Sequence, residues 1–147
     1  MADAGTPPAG AARTADPTLT ETDAVPTSVR FYGDEMLVTY LTGAPFAEGS
    51  ERIVNPVTRE IRQFINGLTS ATDVLVRERP GRSQFFALEA RTQLGRGPGR
   101  LIQYDTAEAR VIADQLTGPT GMAQDPATGD IFVVEYSAGR ITQVKLQ

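Results

Sequence analysis

The chain has 147 residues, with 18 acidic and 14 basic side chains and a formal net charge of −4. It contains neither cysteine nor histidine, which excludes disulfides, thiolate zinc sites, cysteine nucleophiles and histidine-based acid–base catalysis within it. The acidic balance and the lack of a basic stripe argue against nucleic-acid binding. No apolar run approaches the length of a membrane span.

The N-terminal segment, residues 1–24, differs in composition from the rest of the chain. Alanine, threonine, proline, aspartate and glycine dominate it, and Leu19 is its one large aliphatic residue. Such a segment buries too little apolar surface to offset the loss of chain entropy. We therefore predict a disordered leader or linker. No basic region followed by an apolar run is present, so no secretory signal peptide is visible.

From Val25 onward the sequence alternates strands with turns, and residues 25–67 form the first predicted unit. Its turns carry Gly33-Asp34 and Asn66-Gly67. The stretch 59–65 also has near-helical apolar spacing, but the corresponding stretch 109–114 alternates better, so a strand is predicted at both. The predicted strands of this unit are residues 27–31, 35–41, 51–55 and 60–65.

Residues 68–115 and 116–147 repeat the same order. The apolar run 131–134 is typical of a strand that is covered on both faces. The third unit ends after its third strand, so its outer strand is missing. The predicted strands are residues 72–77, 83–91, 100–105 and 109–114 in the second unit, and residues 120–124, 130–136 and 140–146 in the third.

One unit is therefore written twice and begun a third time. Thr27, Thr72 and Thr120 mark its register. A repeat length of about 45 residues, with several short strands in each repeat, is typical of propeller blades. The predicted fold is an all-β partial β-propeller in residues 25–147, with about three four-stranded antiparallel blades, the last of which lacks its outer strand.

Residues 116–123 (LTGPTGMA), 131–136 (IFVVEY) and 139–141 (GRI) resemble the blade motif of NHL-type and gluconolactonase-like six-bladed propellers. More narrowly, residues 25–29 (VPTSV), 41–46 (LTGAPF) and 97–102 (GPGRLI) resemble the ScyD/ScyE family. That resemblance implies the C-terminal half of a six-bladed propeller, an extracytoplasmic location and an undefined molecular activity. Two departures are Tyr40, in the place of Glu89 and Glu135, and Ala71, in the place of Pro26 and Pro119.

Three acidic residues are candidate ligand-binding groups. Glu89 and Glu135 follow apolar strands at equivalent positions and could form a pair of carboxylates near one rim. The alternative is that they are solvated strand ends or pair with a nearby arginine such as Arg91 or Arg140. Asp73 lies in an inner strand, which lines the central channel of a propeller.

Channel carboxylates and amides hold a divalent metal in gluconolactonase-like enzymes. Here the positions equivalent to Asp73 are Ser28 and Gly121, and one carboxylate alone cannot build such a site. No catalytic residue, metal or cofactor is therefore predicted. The first hypothesis is a non-catalytic propeller module that binds a ligand or partner. The alternative is a fragment of a gluconolactonase-like metal-dependent hydrolase whose ligands lie on other blades.

Three blades leave open blade faces and an exposed sheet edge, both of which favour association. The missing N-terminal blades of a longer product could cover them. A homodimer could also complete six blades, or the chain could remain an open arc. No nucleic acid or membrane is predicted as a partner.

Overall fold

The computed structural model describes residues 25–41, 49–92, 96–105 and 108–146. The predicted leader and most of the loop 41–46 lie outside these ranges. Eleven β-strands and a single 3-10 turn at Tyr136–Ala138 account for the secondary structure that is described. None of the described ranges contains a helix with the length and apolar character needed to cross a bilayer.

The first sheet is a four-stranded antiparallel meander. Its second strand buries Leu37 and Thr39 in alternation, and its third strand buries every residue from Gly49 to Ile53. The stretch with an ambiguous periodicity is a strand and not a helix, as predicted. In spatial order the strands are β1 (Val25–Tyr32), β2 (Glu35–Leu41), β3 (Gly49–Val54) and β4 (Ile61–Leu68).

The second sheet repeats this order and the third repeats three of its strands. The predicted all-β fold of two four-stranded sheets and one three-stranded sheet is confirmed. The second sheet contains β5 (Ala71–Arg79), β6 (Arg82–Glu89), β7 (Gly99–Tyr104) and β8 (Ala109–Leu116), and the third contains β9 (Pro119–Gln124), β10 (Ile131–Glu135) and β11 (Arg140–Val144).

The inner strands of the three sheets stand side by side, because β1 contacts β5 and β5 contacts β9. The core lies between successive sheets and not inside any one of them. Leu37 and Ile53 pack on Val74 between the first two sheets, and Phe86 and Leu88 pack with Met122 between the last two. Three sheets stacked in this way, with their inner strands side by side, form a partial β-propeller.

Each of the three register threonines is the extra residue of a β-bulge in its inner strand. The strand pairing skips Thr27 between Pro26 and Ser28, and it skips the equivalent Thr72 and Thr120. A bulge bends its strand and re-aims the side chain. The hydroxyl of Thr27 accordingly lies 3.2 Å from the backbone oxygen of Ala71 in the next sheet, and that of Thr72 lies 3.4 Å from the backbone oxygen of Pro119.

Candidate functional site

The inner strands of the three sheets line an open groove of about 520 Å³. Because the threonine bulges bend all three strands alike, equivalent residues of the three sheets converge there. The groove presents hydroxyl groups, one carboxylate and one guanidinium. Its lining residues with polar side chains are Thr27, Ser28, Arg30, Thr72, Asp73 and Thr120.

Asp73 joins all three sheets from the middle of this groove. The residue is only 2% exposed. From the first sheet, Ser28 Oγ donates to Asp73 Oδ1, and Arg30 Nη2 donates to Oδ2 over 3.0 Å. From the third sheet, the backbone N–H of Met122 donates to Oδ2 over 2.8 Å. Both carboxylate oxygens are therefore used to hold neighbouring blades together.

The three equivalent positions Ser28, Asp73 and Gly121 meet at this point. A side-chain carbon built on Gly121 would lie 3.9 Å from Asp73 Oδ2, so Gly121 stands directly beside the carboxylate. Ser28 contributes a donor, Asp73 the acceptor, and the strand at Gly121 brings in the N–H of Met122. The sequence-predicted candidate Asp73 is thus at the centre of the groove, where the inner-strand assignment places it.

Arg30 provides the cationic group of the groove. Its side chain is 42% exposed while its partner carboxylate on Asp73 is buried. Nη1 donates to the backbone oxygen of Val29 over 3.1 Å, which together with the Asp73 contact fixes the orientation of the guanidinium. Of its five N–H donors, the one on Nε has no partner among the described residues. Arg30 was not singled out from sequence, because a lone arginine in an alternating strand carries no pattern.

Glu89 and Glu135 lie outside the groove and perform the same structural task in two sheets. Both are completely buried. Glu135 Oε1 accepts from Arg140 Nε over 2.8 Å, and Oε2 accepts from the backbone N–H of Thr117 over 2.5 Å. The hydrogen bonds from Arg140, Thr142 and Thr117 outweigh burial and hold the pKa of Glu135 at about 2. Each glutamate thereby ties the loop before an inner strand to its own sheet.

Glu89 repeats this arrangement with Arg100. Its Oε1 accepts from the backbone N–H of Thr69 over 2.6 Å, and its Oε2 accepts from Arg100 Nε. The two glutamates are therefore not brought together with Asp73 into one cation site. Within the described ranges, no three Asp, Glu, His or Cys residues are grouped closely enough to hold a metal ion.

The first sheet has Tyr40 where the other two have these glutamates. The guanidinium carbon of Arg52 lies 5.0 Å from the centre of the Tyr40 ring, so a cation–π contact stands in that sheet. An arginine thus lies near Tyr40 in the first sheet as well, although it comes from a different position of the third strand. In the first sheet, the cation–π contact of Arg52 with Tyr40 therefore takes the place of the glutamate–arginine ion pair of the other two sheets.

Glu51 is a buried acid that the sequence analysis missed. The residue is fully buried on β3, and the hydroxyl of Thr39 donates to its Oε2 over 2.8 Å. Burial raises the pKa of the Glu51 carboxyl to about 8, with the negative charge of Asp73 adding to the rise and the Thr39 hydrogen bond opposing it. The available signal was its place in the repeat, since the equivalent position in the second sheet is Leu101.

No protein-family model matches the chain. The chain is similar to the human adipocyte plasma membrane-associated protein, with 32% identity over an alignment of 101 residues. That alignment covers 60% of this chain and 23% of the human protein. The chain therefore corresponds to less than a quarter of the length of that relative.

Proposed function

We propose that this propeller-type module binds a small organic anion in the groove beside Arg30, and that it is a module of the ScyD/ScyE type. The oriented, half-exposed guanidinium of Arg30 is the observation that carries the proposal. A planar guanidinium with fixed orientation matches the geometry of a carboxylate. Thr72 and Thr120 line the same groove.

The ion pair with Asp73 limits the affinity of the proposed anion site. The carboxylate orients the guanidinium but also neutralises part of its charge, so a monovalent anion would gain mainly from directed hydrogen bonds. The open groove keeps water close, which weakens the electrostatic attraction further. We accordingly expect millimolar affinity for a simple carboxylate and tighter binding for an anion that also carries hydroxyl groups.

A binding role is favoured over the alternative of a metal-dependent hydrolase fragment by the state of Asp73. Its two oxygens already accept hydrogen bonds from Ser28, Arg30 and Met122. A metal ion bound to Asp73 would have to displace these donors and separate contacts that join three sheets. The binding proposal needs no such rearrangement, because Arg30 already faces the groove.

The test is an NMR titration with sodium acetate and sodium gluconate, with sodium chloride and glucose as ionic and neutral controls. Both carboxylates should shift the backbone amide signals of Ser28, Arg30, Thr72 and Gly121, and chloride and glucose should not. Arg30→Gln should abolish these shifts. Arg62→Gln is the matched control, because Arg62 is a similarly exposed arginine paired with Glu35 outside the groove. Shifts that persist in Arg30→Gln would refute the proposal.

A further inference from the structure

Two sheet faces at the ends of the arc expose apolar side chains. We call the outer face of the first sheet the leading face and the outer face of the third sheet the trailing face. Phe31 on the leading face is 77% exposed, and Ile141 on the trailing face is 68% exposed. The leading face consists of Val29, Phe31, Met36 and Val38, which pair across β1 and β2, and the trailing face consists of Ala123, Phe132, Val134 and Ile141, which lie on β9, β10 and β11.

The leading face repeats a face that is covered elsewhere in the same molecule. By register, Val29 and Val38 correspond to Val74 and Ala87 of the second sheet. Val74 and Ala87 are completely buried against the first sheet, whereas Val29 is 52% exposed. Equivalent apolar side chains are thus buried at an internal junction and exposed at the end of the arc.

The trailing face repeats the face of the second sheet that packs on the third sheet. Its four residues occupy the positions of Leu75, Phe86, Leu88 and Leu101 in the second sheet. Those residues are buried against the third sheet in one apolar cluster. Each internal junction therefore joins a face of the leading type to a face of the trailing type, and the described part of the chain leaves one of each uncovered.

We infer that a second copy of this chain covers both faces, with the leading face of each copy packed on the trailing face of the other. A two-fold rotation about the groove axis makes both contacts at once and closes the assembly. The inference rests on the sheet faces and is independent of ligand binding. It would also bring Arg30 and Asp73 of both copies around one channel.

Thr120 provides a second, polar argument for the same partner. Thr27 and Thr72 approach the backbone oxygens of Ala71 and Pro119, which occupy equivalent positions in the next sheet. Thr120 is exposed at the end of the series. The residue of the first sheet at the matching position is Pro26. In the proposed dimer, the Thr120 hydroxyl of one copy donates to the Pro26 backbone oxygen of the other.

Sedimentation equilibrium tests the assembly state. The inference predicts a particle of twice the chain mass of 15.8 kDa. Phe31→Lys and Val134→Lys should each weaken association at least about tenfold, because a charge would be buried in an apolar contact. Val57→Lys should leave it unchanged, since Val57 is an exposed residue of the turn between β3 and β4. Circular dichroism confirms that each variant is folded.

Cross-linking tests the arrangement, because the chain has no cysteine of its own. Phe132 occupies the position of Leu37, which packs with Val74, the counterpart of Val29. Mild oxidation should therefore link a Val29→Cys chain to a Phe132→Cys chain in a mixture and should not link either variant to itself. A monomer at millimolar concentration, an assembly larger than a dimer, or self-linking of Val29→Cys would overturn the inference.

Discussion

Thr39 and Glu51 form a buried hydrogen-bonded pair at the position where the second sheet pairs Leu88 with Leu101. The two sheets thus fill the same packing position with different side chains. The first sheet has a polar pair there, and the second has two leucines. A buried carboxyl group is tolerated there because it can keep its proton. The pair makes the stability of the first junction dependent on pH.

Glu51→Gln tests this dependence. The folded state raises the pKa of Glu51 from 4.5 to about 8, so the stabilisation is fully present below pH 4.5 and is lost as the pH rises through 8. Since one pKa unit corresponds to about 1.4 kcal/mol, the variant should be more stable than the wild type at pH 8.5 by on the order of 5 kcal/mol. At pH 4.5 the two should be similar in urea denaturation.

The control for that experiment is Glu60→Gln, because Glu60 is an exposed acid in the turn before β4. Its stability should follow the wild type at both pH values. Parallel pH profiles for the wild type and Glu51→Gln would show that Glu51 is ionised in the folded protein and would contradict the assignment.

Asp73→Ala should destabilise the protein by about 3 kcal/mol, because it removes the acceptor for donors of three sheets and leaves buried groups without partners. Urea denaturation followed by circular dichroism measures the loss. Asp34→Ala is the matched control, since Asp34 lies in the exposed turn between β1 and β2, and it should change stability by less than about 0.5 kcal/mol. An equal loss of stability in the two variants would show that Asp73 does not hold the three sheets together.

The register threonines provide an internal comparison. Thr27→Val and Thr72→Val keep the side-chain shape but lose the hydroxyl contacts to Ala71 and Pro119, so each should cost about 1 kcal/mol. Thr120→Val should cost little under dilute conditions that keep the chain monomeric, and it should weaken the proposed dimer. Thermal unfolding at low and high protein concentration separates these outcomes. Equal losses of stability in all three variants at low concentration would contradict the expectation that Thr120, unlike Thr27 and Thr72, makes no contact to a following sheet in the monomer.

Glu135→Gln should reduce stability near neutral pH more than in acid. The folded state lowers the pKa of Glu135 from 4.5 to about 2, so its stabilisation is present above pH 4.5 and disappears as the pH falls through 2. The difference in urea midpoint between wild type and variant should therefore shrink from pH 6 to pH 2. Glu35→Gln, which alters a more exposed ion pair with Arg62, should show a smaller change. A difference that stays constant over this range would refute the low pKa.

The strands were predictable from sequence because the repeat supplies three independent readings of one pattern. The threonine spacing marked the register of the three inner strands, and the position of Asp73 in such a strand predicted that it lines the groove. The alternation of residues 109–114 also resolved the ambiguous periodicity at 59–65 in favour of a strand.

The contacts around the site were harder to predict, because they depend on which residues of different sheets meet. Arg30 and Met122 reach Asp73 only after three inner strands are placed side by side. Arg100, which pairs with Glu89 across two strands, donates to its carboxylate. Glu51 resembles a solvated strand residue until the register places it opposite Thr39 in the core.

The most direct test of the account is a set of nuclear Overhauser contacts between the inner strands. Radial stacking of the three sheets predicts contacts from Thr27 to Ala71 and from Thr72 to Pro119 in the folded protein, together with a contact between the Ser28 and Asp73 side chains. The observation of both threonine contacts would confirm that each blade joins the next in the same way. Their absence in a folded sample, or pairing of β1 with β9 as adjacent strands of one sheet, would contradict the propeller arrangement.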